Sequence, residues 1–112
     1  MRYEKHDKGK PRLELIDPGF ILGVGKVLTF GAEKYADDNW KQATVEDRKR
    51  SMGSLLRHTM AYQSGELIDP ESGIEHLYHM ATNIMFMAWY DKNLKSNGHA
   101  GQTYMEVCNG SK

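Results

Sequence analysis

The sequence predicts an all-α fold: a compact helical bundle of three to five helices with a long central helix. Three segments carry apolar side chains at the spacing of one helix face, and two prolines follow an aspartate where such a segment begins. Residues 12–16 are at best a short extended segment. At 112 residues we expect one domain, 1–112, with its core at about 12–95 and a polar C-terminal tail at 96–112.

The first predicted helix runs from about 18 to 36. Asp17 can cap its first N–H groups, and Pro18 suits the first helical position because an N–H there has no helical partner. Three glycines lower the helix propensity of this segment, so we expect close packing against another segment to compensate. The apolar face comprises Phe20, Ile21, Val24, Val27, Leu28, Gly31 and Tyr35.

The second predicted helix starts near Thr44. Glu46 and Asp47 place carboxylates in its first turn, where they interact favourably with the helix macrodipole. Gly65 predicts its end, because glycine readily adopts the left-handed conformation that closes a helix. The apolar stripe of this helix comprises Met52, Leu55, Leu56 and Thr59.

The third predicted helix carries the clearest periodic signal. Asp69-Pro70 repeats the capping arrangement of the first helix, and the apolar pattern continues to about Lys95. This length indicates a central helix that packs on more than one side. Its apolar stripe comprises Ile74, Leu77, Tyr78, Ala81, Ile84, Met85 and Ala88.

Charge and composition argue against several function classes. Lys and Arg total 15, as do Asp and Glu, and this zero net charge disfavours a nucleic-acid polymer as partner. The longest apolar run, 84–88, is far shorter than the roughly 20 residues of a membrane span, so we expect no membrane partner. One cysteine, Cys108, excludes an internal disulfide framework. The charged N-terminal segment lacks the apolar region of a secretory signal, and we expect a cytoplasmic protein.

Three histidines could form one site. His76 and His79 are three residues apart on the third predicted helix, and Asn83 follows four residues later, so these side chains share a polar stripe beside the apolar one. The stripe is either one wall of a pocket or part of the solvated face. If helices two and three pack antiparallel, their connecting loop brings His58 towards His76 and His79.

The same loop contributes carboxylates. Glu66 and Asp69 lie between the two helices, and imidazole and carboxylate groups in one pocket could hold a divalent metal. We therefore expect a metal site at Glu66, Asp69, His76 and His79. Asp69 also has a structural explanation as the N-cap of the third helix.

A second candidate feature is the segment 30–40. Lys34 can meet a phosphate, Asn39 can read a base edge, and the rings of Tyr35 and Trp40 can stack on a base. The alternative is that both rings complete the core beneath a loop.

Several spaced motifs together resemble one known family. The motifs span about residues 5–92, and their order resembles that of the phage-associated N-terminal domain of dATP/dGTP diphosphohydrolase. They are more distantly similar to the MazG-type all-α nucleotide pyrophosphohydrolases. The motifs are Gly9-Lys-Pro-Arg-Leu13, Phe30-Gly-Ala-Glu-Lys-Tyr35 with Asn39-Trp40, Leu56-Arg-His58, and Gly65-Glu-x-x-Asp-Pro-Glu-Ser-Gly73 with His76-Leu-x-His79.

The resemblance implies a phage-encoded protein that acts in the host cytoplasm. It would hydrolyse purine (deoxy)nucleoside triphosphates to a monophosphate and pyrophosphate, with Mg²⁺ or Mn²⁺ as cofactor. Catalysis would use His58, Glu66, Asp69, His76 and His79. The ligand-binding residues would be Arg12, Lys34, Tyr35, Asn39, Trp40 and Arg57, joined by Asn83 from the polar stripe.

One motif of the MazG-type enzymes is missing from this chain. They hold metals with a helical Glu-x-x-Glu and a second acidic pair, whereas Glu14-Leu-Ile-Asp17 and Glu66-Leu-Ile-Asp69 each precede a proline. Two alternatives therefore stay open: a protein that binds or sequesters a nucleotide without cleaving it, and a structural or oligomerisation module. The Met-rich amphipathic third helix leads us to expect a homo-oligomer in each case.

Overall fold

A computed structural model describes residues 8–34, 41 and 44–93. The three α-helices in this part of the chain are α1, Pro18–Lys34, α2, Val45–Gln63, and α3, His76–Asn93. They confirm the predicted all-α class. None of the described helices combines the length and apolarity that a membrane crossing requires. The predicted domain limits, including the tail at 96–112, reach beyond the described residues.

The start of α1 follows the capping prediction. A carboxylate oxygen of Asp17 accepts a hydrogen bond from the N–H of Phe20 at 2.9 Å, and Pro18 is the first helical residue. The extended segment expected at 12–16 is wrong. Residues Leu13–Leu15 form a single 3₁₀ turn, because the carbonyl of Arg12 accepts a hydrogen bond from the N–H of Leu15 at 3.1 Å.

Both ends of α2 confirm their sequence signals. The N–H of Thr44 donates to the carboxylate of Asp47 at 3.0 Å, and this hydrogen bond is the main cause of a lowered pKa at Asp47. At the other end Gly65 has φ +109°. The N–H groups of Gly65 and Glu66 donate to the carbonyls of Tyr62 and Ala61 at 3.0 and 3.1 Å, which is a Schellman motif.

The predicted start of α3 at Asp69-Pro70 is wrong, since the helix begins at His76. The carbonyl of Asp69 does accept a hydrogen bond from the N–H of Gly73 at 2.8 Å, so Asp69-Pro70 begins one tight turn. Gly73 then takes φ +73°, and the chain turns back on itself. The N–H of Asp69 donates to Ile74 at 2.9 Å, which closes this loop below α3. Asp69 is therefore a loop residue and not the N-cap of α3.

The centre of the bundle is α3, as the sequence predicted. It packs against α2 along most of its length and against α1 over a shorter stretch. The α1 contact is close at Gly23, which lies directly over the ring of Tyr78. Phe20 meets the same ring edge-on, with centroids 5.6 Å apart. Close packing therefore explains Gly23, whereas a Cβ added at Gly25 or Gly31 would meet nothing within 4 Å in the described part of the chain, so the predicted close packing is wrong for these two glycines.

The buried face of α3 is mostly polar. His76, only 2% exposed, and His79 and Asn83, each 8% exposed, face the interior, whereas Leu77 and Ile84 of the predicted apolar stripe are 40% and 54% exposed. The polar stripe is thus a buried wall and not a solvated face. Hydrogen bonds across to α2 and to the loop make this burial possible. The buried residues of α3 are His76, His79, Thr82, Asn83, Met87 and Tyr90.

A single methyl group should discriminate between two of the glycines in α1. A Cβ at residue 23 would lie 2.5 Å from the ring carbons of Tyr78, whereas a Cβ at residue 25 would meet nothing within 4 Å. We expect Gly23→Ala to lower the free energy of unfolding by about 1–3 kcal/mol through overpacking. The matched control, Gly25→Ala, should raise it by up to about 1 kcal/mol through helix propensity. Urea unfolding followed by circular dichroism measures both, and equal effects would contradict the packing.

Candidate functional site

The three predicted histidines meet where α2 and α3 approach the connecting loop. The Nδ1 atoms of His58 and His76 are 2.8 Å apart, which is hydrogen-bond distance. The rings of His58 and His79 stack in parallel, with centroids 4.4 Å apart and planes 4° apart. The prediction that antiparallel packing would bring His58 to the third helix is therefore confirmed.

A carboxylate fixes the protonation of this group. Oε1 of Glu66 lies 2.7 Å from Nε2 of His76, and the carboxylate can only accept, so His76 donates from Nε2. With its single ring proton on Nε2, His76 has an acceptor at Nδ1, and in this tautomer His58 donates to it from Nδ1. The Schellman turn at Gly65 places Glu66 for this contact. The result is a chain of hydrogen bonds from His58 through buried His76 to the more exposed Glu66.

A second chain of hydrogen bonds holds His79. The hydroxyl oxygen of Ser72 lies 2.9 Å from Oδ2 of Asp69 and 2.7 Å from Nε2 of His79. The carboxylate of Asp69 accepts the hydroxyl proton, so Ser72 accepts from Nε2–H of His79 and also from the N–H of Ile74, 3.2 Å away. This assignment leaves Nδ1 of His79 with its lone pair.

Ser72 is not a nucleophile of the serine-hydrolase kind. In those enzymes the carboxylate holds the far nitrogen of the histidine, whereas Asp69 and His79 here both contact the same hydroxyl. Ser72 is not among the site residues that the sequence predicts. Its spacing of three residues after Asp69 is the signal that could have identified it, since aspartate side chains commonly bond backbone or hydroxyl groups at this distance in turns.

The electrostatics of the site favour neutral imidazoles beside an ionised carboxylate. Burial lowers the pKa of His58 and of His79 below the usual value of 6.5, and the neighbouring histidines lower both further, although Asp69 partly opposes this. Burial alone would raise the pKa of Asp69, but hydrogen bonds from Ser72 lower it below 3.8. At neutral pH His58 and His79 are therefore neutral, and each keeps one nitrogen lone pair beside the negative charge of Asp69.

These groups could hold a divalent metal. One ligand atom from each of His58, Asp69 and His76 lies within 4.8 Å of the others. Two of the four predicted ligands, Asp69 and His76, are in this set. Glu66 contacts His76, and His79 is 3.6 Å from Asp69. The nitrogen-rich donors fit Mn²⁺ better than Mg²⁺, which prefers oxygen ligands.

The remaining described residues of the predicted site are dispersed. Arg57 is exposed beside His58 on α2 and is close enough to contribute to the lowered pKa of His58. Arg12 donates to Glu14 at 2.8 Å on an exposed segment before α1. The amide of Asn83 donates to the Ser54 hydroxyl at 3.2 Å, joining α2 to α3, and to a carbonyl of its own helix. Ser54 is thus a further residue of the α2–α3 interface, outside the predicted site.

The predicted base-binding segment lies largely outside the described residues. Lys34 is the last residue of α1. Tyr35, Asn39 and Trp40 are not among the described residues. Their nucleotide-binding roles stay predictions.

The lowered pKa values predict how stability depends on pH. Unfolded histidines bind protons below about pH 6.5, whereas folded His58 and His79 do so only at lower pH. Just below pH 6.5 the unfolded state therefore binds more protons, and the free energy of unfolding falls as the pH falls. We expect the urea midpoint to drop between pH 7.5 and 5.5, and to drop less in His58→Gln. A midpoint that rises on acidification would contradict the assignment of neutral imidazoles.

Comparisons with known proteins agree with the resemblance in the sequence. A relative from Salmonella phage PMBT28, named dATP/dGTP diphosphohydrolase, is 36% identical over 89 residues, which are 80% of this chain but only 30% of that protein. No solved structure matches this chain, and the wider similarity to MazG-type enzymes stays a prediction. A family model described as "dATP/dGTP diphosphohydrolase, N-terminal" matches residues 2–99, and the chain therefore belongs to this family.

Proposed function

We propose that this chain processes nucleotides, hydrolysing purine (deoxy)nucleoside triphosphates to the monophosphate and pyrophosphate. The observation that carries the proposal is the joined imidazole and carboxylate cluster between α2 and α3, in which His58 contacts His76 and stacks on His79. The name of the phage relative, dATP/dGTP diphosphohydrolase, supports the same chemistry. The chain spans about 30% of that relative, and this proposal concerns the cluster in the present chain.

The proposed reaction needs a divalent cation, Mg²⁺ or Mn²⁺. His58, Asp69 and His76 would hold it. When bound, such an ion would offset charge on the phosphate oxygens and lower the pKa of a coordinated water. Water attacks the α-phosphorus, the bond to the bridging oxygen breaks, and pyrophosphate leaves with the electron pair of that bond.

The protein's own side chains supply the proton acceptor and the phosphate-binding charge. His79 is neutral at neutral pH and its Nδ1 keeps a lone pair, so it would take a proton from the attacking water. Asp69, linked to His79 through Ser72, would stabilise the imidazolium that forms. The exposed guanidinium of Arg57 would bind the triphosphate. Arg12, Lys34, Tyr35, Asn39 and Trp40 would complete the nucleotide site.

Two observations favour two alternative functions, nucleotide binding without cleavage and a structural role. Both carboxylates in the cluster come from the loop, whereas the MazG-type sites present theirs from facing helices; this favours a protein that binds or sequesters a nucleotide without cleaving it. Met52, Leu56 and Met60 form an exposed stripe on α2, which favours a homo-oligomeric structural module. An oligomer is compatible with hydrolysis as well, and the host cytoplasm is the compartment that we propose for either activity.

A panel of deoxynucleoside triphosphates tests the proposed hydrolysis. With Mn²⁺ or Mg²⁺ we expect dATP and dGTP to yield monophosphate and pyrophosphate, resolved by anion-exchange chromatography. His79→Gln removes the proton acceptor and should reduce kcat by at least about 100-fold. Glu46→Gln is the matched control, because exposed Glu46 lies 12 residues from His58 along α2, roughly 18 Å away, and this variant should keep full activity.

The remaining outcomes separate the alternatives. If calorimetry shows tight nucleotide binding and the nucleotide is recovered intact afterwards, the function is sequestration and not hydrolysis. If the folded protein neither binds nor cleaves any nucleotide of the panel, both nucleotide functions are rejected. The structural or oligomerisation module is then the remaining function.

A further inference from the structure

We infer that His58, His76 and Asp69 form a binding site selective for a first-row transition-metal ion, such as Mn²⁺, Co²⁺ or Zn²⁺, over Mg²⁺, with Glu66 orienting His76 from outside the ligand set. The inference deepens the proposed function by naming the class of its cofactor. It concerns binding in the absence of nucleotide, so it can stand or fail separately from catalysis.

The separation of the two imidazoles supports shared ligation. Nitrogen ligands lie about 2.1 Å from such an ion, and at ligand angles between octahedral and tetrahedral two of them are roughly 3.0–3.4 Å apart. The Nδ1 atoms of His58 and His76 are 2.8 Å apart, a few tenths of an ångström from this range. The two nitrogens are therefore close to the spacing of two ligands on one ion.

The contact of His76 with Glu66 is an independent observation. A metal-binding histidine almost always donates its other ring N–H to a carboxylate, a carbonyl or water, which fixes the ring and raises its basicity. His76 donates from Nε2 to Glu66 at 2.7 Å, and its side chain is almost fully buried. Nδ1 is thereby committed to carry a lone pair, and it faces His58.

Asp69 supplies the third ligand and a negative charge. The turn to Gly73 and the Ser72 hydroxyl hold its carboxylate in place, so little ordering is needed when a metal binds. Two imidazoles and one carboxylate are donors typical of Mn²⁺, Fe²⁺, Co²⁺ or Zn²⁺ sites. Mg²⁺ requires oxygen ligands in octahedral geometry, and this set offers only one carboxylate.

The proton between the imidazoles of His58 and His76 must move when a metal binds, and this movement can be observed by NMR. Because Glu66 accepts from Nε2 of His76, we assign this proton in the free protein to Nδ1 of His58, directed at His76. Ligation through both Nδ1 atoms requires that His58 lose this proton from Nδ1 and take one from solvent at Nε2, so the ring stays neutral. His58 thus changes tautomer on binding, whereas His76 keeps its proton on Nε2, facing Glu66.

Titration calorimetry on chelator-treated protein without nucleotide tests the inference. We expect one equivalent of Zn²⁺ to bind, and a 100-fold excess of Mg²⁺ to leave its affinity unchanged. Co²⁺ should bind with a visible absorption spectrum typical of nitrogen and oxygen ligation, and ¹⁵N NMR of the Zn²⁺ form should show His58 change tautomer. An equal preference for Mg²⁺, or no bound ion, would overturn the site.

Variants locate the ion within the cluster. His76→Gln and Asp69→Asn should each weaken Zn²⁺ binding by at least 100-fold, and Glu66→Gln by 10–100-fold. Glu46→Gln is the control, since it removes an exposed carboxylate at the start of α2, 12 residues from His58, and it should change affinity by less than about threefold. Circular dichroism confirms that each variant folds. If Glu66→Gln and Asp69→Asn both fold and bind as the parent does, the site is disproved.

Failure of the inference and failure of the proposed function are distinguishable. Turnover of dATP or dGTP with Mg²⁺ in a protein that binds no transition metal would reject the inference alone. Tight Zn²⁺ binding in a protein that cleaves no nucleotide would reject the hydrolysis alone.

Discussion

The buried imidazole of His76 is the group on which the α2–α3 interface depends. It is 2% exposed, and both of its nitrogens are hydrogen-bonded, one to His58 on α2 and the other to Glu66 on the loop. An unpaired polar group at this depth would cost several kcal/mol, so the helix, the loop and the partner helix must take positions that satisfy it together. The loop geometry therefore serves two purposes: the Schellman turn at Gly65 places Glu66, and the turn to Gly73 places Asp69.

This polar interior explains the unusual distribution of apolar side chains. Because α3 presents histidine, threonine and asparagine to its neighbours, part of its apolar stripe, including Leu77 and Ile84, remains on the surface. At the far end of the same interface the Arg48 guanidinium pairs with Asp91, so α2 and α3 are joined by polar contacts at both ends. Such interfaces specify one alignment of two helices, since any shift by a turn would leave buried charges and imidazoles unpaired.

Local sequence signals made the helix ends largely predictable. Features that depend on contacts between distant residues could not be predicted from them. Asp17-Pro18, Thr44 and Gly65 act within a few residues of themselves, so their positions in the sequence were sufficient to place helix ends. Asp69-Pro70 has the same pattern as Asp17-Pro18, but here it begins one turn that ends at Gly73 and not a helix. The backbone hydrogen bonds within the loop show this, and the sequence pattern does not. Periodicity likewise identified two stripes on α3 and could not decide which one α2 covers. Antiparallel packing of α2 and α3 was enough to predict that His58, His76 and His79 converge. The hydrogen bonds of Ser72 to Asp69 and His79 depend on a loop conformation, which sequence spacing alone does not determine.

The smaller interface of α1 with α3 makes α1 the helix that can open most easily. α1 contacts α3 where Gly23 and Phe20 meet the ring of Tyr78, whereas α2 and α3 share a longer interface and are adjacent in the sequence. Opening of α1 would break fewer contacts than separation of α2 from α3, so its amides should exchange with solvent at a lower free-energy cost than those of the α2–α3 hairpin. The histidine cluster lies within that hairpin, so the first helix can loosen without breaking the contacts of His76 with His58 and Glu66.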